Sequence, residues 1–201
     1  MSREIVYIDM DDTLVDFQSG IDAIMATREE ERDRKGDWDD VEGIFLLMEP
    51  MPGAIEAAKE LAELFDVYVL TKSPWRNQSA PSDKLSWIKC HFGESEDSIF
   101  HKKVILSGHK QLNRGHFLID DRCSPGFEGI HIKIKGDRFP DWQAVLEALR
   151  ARHRERAHAP AARLWHHDRH GQHRHLHFAA DERVDGRGAA LVWHVQDVGL
   201  A

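Results

Sequence analysis

A short apolar run that stops abruptly at a knot of carboxylates limits what this chain can fold into. Ile5-Val6-Tyr7-Ile8 is β-rich and carries no charge, the pattern of a strand buried in the middle of a parallel sheet. It runs straight into Asp9-Met10-Asp11-Asp12-Thr13-Leu14. Open α/β sheets keep their sites at such strand ends. In extended chain, residues two apart point the same way, so Asp9 and Asp11 can converge on one point beyond the sheet. Two like charges so placed demand compensation. A hard divalent cation supplies it, and magnesium, with oxygen ligands and a substrate phosphate, is the usual solution for phosphoryl chemistry. The plainer alternative is a solvated acidic loop capping a helix.

The remaining pattern alternates. From Phe17 to Glu49 the chain is irregular and highly charged, and Arg28 to Lys35 is almost wholly ionic, so this stretch reads as polar helices forming a lid. Pro50-Met51-Pro52-Gly53 punctuates the chain, and Ile55, Ala58, Leu61, Ala62 and Phe65 follow at the spacing of one helical face. Strands are legible at 67–70, 104–106, 117–119 and 130–134. A loop is expected over 74–83, a helix over 84–92, and a last helix after Asp141 carrying Trp142, Val145, Leu146 and Leu149. The expected fold is α/β: a Rossmann-like, mainly parallel sheet with helices on both faces and a small helical cap, roughly 17–49, inserted after the first strand.

Composition divides the chain near residue 150. Residues 1–150 hold 29 Asp and Glu against 19 Lys and Arg, whereas 151–201 hold 6 against 8 together with nine of the fourteen histidines. Apolar residues in the second part are too scattered to bury a face, so 151–201 reads as a disordered His/Arg-rich tail, dispensable for catalysis. Its run from His166 to His177 invites a metal-storage reading that rests on composition alone. An acidic domain is a poor binder of nucleic-acid polymer, because that affinity comes largely from Lys and Arg neutralising many phosphates. Two cysteines, Cys90 and Cys123, are too few and too separated for a disulfide framework or a zinc site. No apolar run approaches membrane-spanning length and none resembles a secretory leader, which points to a cytoplasmic protein without a membrane partner.

A second acidic cluster repeats the first. Phe117 to Ile119 is apolar and stops at Asp120-Asp121; taken singly this is a common turn sequence, but parallel strands of one sheet would bring it near Asp9. Thr71 follows the strand at 67–70, where a hydroxyl could donate to a phosphoryl oxygen, and Lys84 opens the next helix, where an ammonium could neutralise charge. Each alone is unremarkable, since such a Thr is usually a cap and such a Lys usually solvated.

In this order, Asp9-x-Asp11-x-Thr13, Thr71, Lys84 and Asp120-Asp121 resemble the four motifs of the haloacid dehalogenase-like hydrolases over roughly residues 4–150. Asp16-Phe17, Glu49-Pro50-Met51-Pro52-Gly53-Ala54, Ser73-Pro74-Trp75 and Gly115-His116-Phe117-Leu118-Ile119-Asp120-Asp121-Arg122 narrow the resemblance to the 5'(3')-deoxyribonucleotidases. The resemblance implies that Asp9 attacks phosphorus and becomes an aspartyl phosphate, while Asp11 protonates the leaving alcohol and then activates water. It implies Mg2+ held by Asp9, the Asp11 backbone carbonyl and the pair Asp120 and Asp121, with Thr71 and Lys84 binding phosphate. Phe17 and Phe45 fall where family members grip the base, against the alternative that both are ordinary contacts between lid and core. Some family members also carry an arginine in the segment aligned with Ser107-Gly108-His109-Lys110; here no arginine appears, and Lys110 or His109 would substitute for it. The expected activity is release of phosphate from deoxyribonucleoside monophosphates. The alternatives are a same-fold phosphatase for another small phosphomonoester, such as a sugar phosphate, and a non-catalytic phosphate- or metal-binding protein. The sequence leaves the oligomeric state, a homodimer included, open.

Overall fold

The structure, a computed structural model, describes residues 3–158, 176–185 and 188–197. Its first compact unit runs to Ala157. Five parallel strands form the sheet: β1 (Ile5–Ile8), then, after a short hairpin pair β2 (Val15–Asp16) and β3 (Glu49–Pro50), β4 (Asp66–Thr71), β5 (Val104–Leu106), β6 (Phe117–Asp120) and β7 (Ile130–Lys133). Their spatial order is β5-β4-β1-β6-β7. β1 is therefore central, with Ile8 in register with Val69 on one side and Ile119 on the other. After β5 the chain crosses back over β1 and builds outward the other way, which opens a crevice at the carboxyl end of β1.

Among the described residues there are four α-helices: α1 (Phe17–Thr27), α2 (Ala54–Leu64), α3 (Ala80–Phe92) and α4 (Trp142–His158). Alternation along the strands divides the core. Val6, Ile8, Val67, Val69, Phe117 and Ile119 pack with Leu61 of α2, Trp87 of α3 and Leu149 of α4 in one large cluster. Tyr7, Leu70 and Leu118 face the other way into a smaller cluster joined by Ile5, Tyr68, Ile105 and Phe127. This smaller cluster is closed by strand residues and by Phe127 of the β6–β7 connection.

The insert between β2 and β3 is a cap on a two-stranded stalk, in which Val15 pairs with Pro50 and Asp16 with Glu49. Asp16 also caps α1, accepting the Gln18 amide at 3.1 Å. Beyond Thr27 the expected polar helices reduce to single 3-10 turns at Glu29–Glu31, Trp38–Asp40 and Ile44–Leu46. The ionic stretch offers no apolar stripe to bury, so local pairs such as Arg34 with Glu31, at 2.5 Å, take over. α3 begins at Ala80 rather than Lys84 because Pro81 sits in its first turn, where a missing amide hydrogen costs nothing.

At the other end, α4 continues past residue 150. Glu4 is buried, and Arg156 and Arg152 reach it at 3.1 and 3.6 Å, while His153 stands edge-on to Phe65 with ring centroids 5.6 Å apart. The domain boundary expected at 150 therefore falls inside a helix. Leu176–Asp185 (β8) and Gly188–Asp197 (β9) pair as a separate antiparallel hairpin. The histidine run from His166 to His175 lies outside the described residues, and with it the metal-storage reading. No helix among the described residues is long and apolar enough to cross a membrane.

A chain cut after Arg152 loses Arg156 and the last turn of α4. Relative to a chain cut after His158, its thermal midpoint should fall by several degrees, corresponding to roughly 1–2 kcal/mol for weakening a partly buried ion pair and its packing. Equal midpoints for the two truncated forms would show that Glu4 does not need this partner.

Candidate active site

The turn after β1 is built around one carbonyl. Met10 is fully buried, and its oxygen accepts the amides of Thr13, Leu14 and Val15 at 3.2, 2.8 and 3.0 Å. Asp12 takes a left-handed conformation, φ 55°, and pairs with Lys135 at 2.9 Å. Trp142 of α4 fixes the turn from behind, donating its indole N–H to the Thr13 carbonyl at 3.0 Å. With Met10 anchored inward, Asp9 and Asp11 flank it. The Asp9 amide bonds the Ile119 carbonyl at 2.9 Å, which locks the first cluster to the strand carrying the second.

Carboxylate oxygens of Asp9, Asp120 and Asp121 lie within 4.8 Å of one another. Three hard oxygen donors at this spacing fit a hard divalent cation. Lys110, almost fully buried, already places its ammonium 2.8 Å from Asp9 Oδ1 and 2.7 Å from Asp120 Oδ2. Asp120 also accepts the Arg122 amide at 2.9 Å and the Ser124 hydroxyl at 3.0 Å. Burial alone would raise the Asp120 carboxyl, but Lys110 and these two donors hold it below the ordinary carboxylate range. Asp9 has no such additional donors. Its burial, with the charges of Asp120 and Asp11, outweighs Lys110 and pushes it up to about 7. Asp121 is raised by burial and then by Asp120 and Asp12.

Asp11 has a different neighbourhood. Its Oδ2 is 2.6 Å from the Lys84 ammonium, and its Oδ1 is buried without a hydrogen-bond partner. Lys84, fully buried, also donates to Thr71 Oγ1 at 3.0 Å and lies 4.4 Å from the centre of the Phe45 ring. Among the described residues the carboxylate group that could hold a metal thus comprises Asp9, Asp120 and Asp121; the Asp11 side chain is engaged elsewhere.

A cavity of about 520 Å³ opens above these groups. Asp9, Asp11, Asp120 and Asp121 line its floor, with Lys72, Lys110 and Arg122 as cations, and Phe17 and Trp38 supply aromatic surface from the cap. Of the residues expected to bind substrate, Phe17 lines the cavity. Thr71, Lys84 and Phe45 do not: all three are fully buried behind Asp11, and Phe45 meets Phe17 edge-on at 6.1 Å. Phe45 belongs to the apolar core that seats the cap on α3, so its ring has an ammonium above it rather than open space. Trp38 went unread because it sits in the ionic stretch with no periodic partner. Lys110 was legible only as a substitute for a missing arginine, since nothing in sequence shows that the turn after β5 aims it between Asp9 and Asp120.

A family model described as 5' nucleotidase, deoxy (pyrimidine), cytosolic type C, matches residues 26–138, more than half of the chain. A putative 5'(3')-deoxyribonucleotidase of Vibrio phage KVP40 is 46% identical over 150 residues, covering 73% of this chain and 85% of the relative. The human mitochondrial 5'(3')-deoxyribonucleotidase is 27% identical over 193 residues, with 72% of this chain and 83% of that one covered. A haloacid dehalogenase-like hydrolase from Xanthomonas campestris is similar at a TM-score of 0.47 and 13% identity, over 78% of this chain and 98% of that chain. With Asp9 and Asp11 just beyond β1, Asp120 and Asp121 at the end of β6, the family model over more than half of the chain and the phage relative at 46% identity, the chain belongs to the cytosolic type C 5'-nucleotidase family.

Proposed function

We propose that the chain is a magnesium-dependent 5'(3')-deoxyribonucleotidase that releases phosphate from deoxyribonucleoside monophosphates through an aspartyl phosphate on Asp9. The observation that carries this reading is the buried Asp9, held within a three-carboxylate group on the floor of a cavity large enough for a nucleotide and lined above by Phe17 and Trp38.

Asp9, Asp120 and Asp121 would hold magnesium, which supplies charge neutralisation at the phosphoryl oxygens. A carboxylate oxygen of Asp9 attacks phosphorus, forming one P–O bond as the bond to the ester oxygen breaks. The electron pair of that bond goes to the departing oxygen, which takes a proton from Asp11. Lys84 bonds one Asp11 oxygen, and the other is buried without a partner, so Asp11 must turn toward the cavity it lines to pass the proton. Water then attacks the phosphorus, Asp11 takes its proton, and Asp9 is released as carboxylate with free phosphate. Lys110 offsets charge on the nucleophile and can meet a phosphoryl oxygen from the cavity floor. Lys84 and Thr71 act from behind, steering Asp11, and reach the phosphate only when Asp11 moves. Phe17 and Trp38 offer surfaces on which a base can stack, worth roughly 1–3 kcal/mol by analogy with single-stranded recognition.

Phosphate release should be fastest with deoxyribonucleoside monophosphates and magnesium, slower with ribonucleotides and sugar phosphates, and suppressed by calcium, which tolerates looser coordination and lets Asp9 bind through both oxygens. A panel in which sugar phosphates are preferred would replace the nucleotidase reading by a general phosphatase. Equal rates with both metals would count against this metal site.

Asp9 also sets a pH signature in metal-free protein. Its folded value of about 7 lies above that of an unfolded aspartate, so its contribution to stability is complete below pH ~4 and lost as pH rises through the folded value. Asp9→Asn removes that loss and abolishes turnover. The variant's stability relative to wild type, measured by denaturant unfolding with chelator present, should increase between pH 4 and 7 (roughly the two ends of that titration) and level off above. A difference that stays constant across this range would mean that Asp9 is not a strained, buried acid.

A further inference from the structure

The entry to α3 carries a buried side chain whose bonding capacity is spent in two directions at once. Asn77 is 2% exposed. Its Oδ1 accepts the amides of Ser79 and Ala80, each at 3.1 Å, and so holds the first turn of α3. Its Nδ2 donates to the carbonyls of Asp39 at 2.9 Å and Val41 at 2.8 Å, spanning the end of the 3-10 turn that carries Trp38. A second bond runs alongside. The Ser79 hydroxyl, bonded to buried Asp83 at 2.5 Å, accepts the Gly43 amide at 3.1 Å. Gly43 has φ 82°, so the backbone that offers this amide is one that other residues adopt only with strain. The helix that begins at this knot carries Lys84, the partner of Asp11.

We infer that Asn77 is a positioning residue for substrate specificity: it fixes the height of the Trp38–Asp40 turn above the catalytic floor, so that Trp38 meets a nucleotide base while the phosphate lies on Asp9. This rests on the reading of the cavity as a nucleotide site. An amide is required because one end must accept from α3 while the other donates to two cap carbonyls. Asp keeps an acceptor for the helix and loses both donors to the cap, whereas Ser keeps an acceptor but has one shorter O–H in place of the two amide donors. Asn77→Asp and Asn77→Ser therefore separate the cap link from the helix link.

In both variants KM for a deoxyribonucleoside monophosphate should rise about tenfold, whereas kcat/KM for acetyl phosphate, which has no base to seat, should change by less than about twofold. In a Trp38→Ala background the same substitutions should add no further increase in nucleotide KM. Hydrogen exchange should quicken at amides 38–43 and stay unchanged in β1 and β6. An equal loss on both substrates, or additive effects in the Trp38→Ala background, would overturn the inference and make Asn77 a general structural residue. If wild type hydrolyses acetyl phosphate but no nucleotide, the functional reading falls instead. Unchanged exchange at 38–43 in both variants would refute the clasp whichever substrate is hydrolysed.

Discussion

Burying carboxylates at the carboxyl ends of two adjacent central strands is the constraint on which the rest of the structure depends. Asp9, Asp120 and Asp121 face one another in a space from which much of the water is excluded, and like charges so placed repel strongly unless balanced. Lys110 provides the balance at one point and Lys84 balances Asp11 at another. Neither lysine is on the sheet. Each is delivered by the connection that follows a strand on the same side of β1, α3 after β4 and a single turn after β5, so the sheet order and the electrostatics of the site are one design. The uneven share of donors holds the Asp120 carboxyl below the ordinary carboxylate range and leaves Asp9 raised above it, so two chemically identical side chains are set apart by their surroundings.

The cap follows from the same geometry. A floor of charge needs a roof that limits water and meets the non-phosphate part of a substrate. The roof is made of chain with little helical propensity to bury, so it depends on being tied down at few points: the β2–β3 stalk, the Trp87 indole bonded to the Met48 carbonyl at 2.7 Å, and Asn77. Close packing adds to these. A Cβ on Gly20 of α1 would come within 2.8 Å of Met48, so the first cap helix lies directly on the stalk side of the insert.

Much of this was legible in the sequence because it follows from local rules. The β1 run, its acidic end, the second acidic pair after β6 and the helices of one-sided hydrophobicity each announce themselves by period or by abrupt change of polarity, and parallel pairing then brings Asp9 to Asp120. What failed to show is what depends on distance in three dimensions. Phe45 has the right type for base stacking, but its burial beneath Lys84 depends on where the cap settles. Lys110 and Asn77 are ordinary loop residues in sequence, and their roles come from backbone carbonyls and carboxylates supplied by remote segments. The end of the domain was misplaced by one helix turn or more because Arg152 and Arg156 look like tail composition until their partner Glu4, at the other end of the chain, is known.

The most direct measurement is where the phosphoryl group goes. Asp11→Asn protein, which under the proposed mechanism keeps the nucleophile but lacks the group that activates water, is mixed with a deoxyribonucleoside monophosphate and magnesium, quenched in acid, digested and analysed by mass spectrometry. A phosphoryl group on the peptide containing Asp9, absent when Asp9→Asn is treated identically, is the expected result. Phosphate release by the wild type with no phosphoryl group on Asp9 in the trapped variant, or with one on another residue, would contradict covalent catalysis by Asp9.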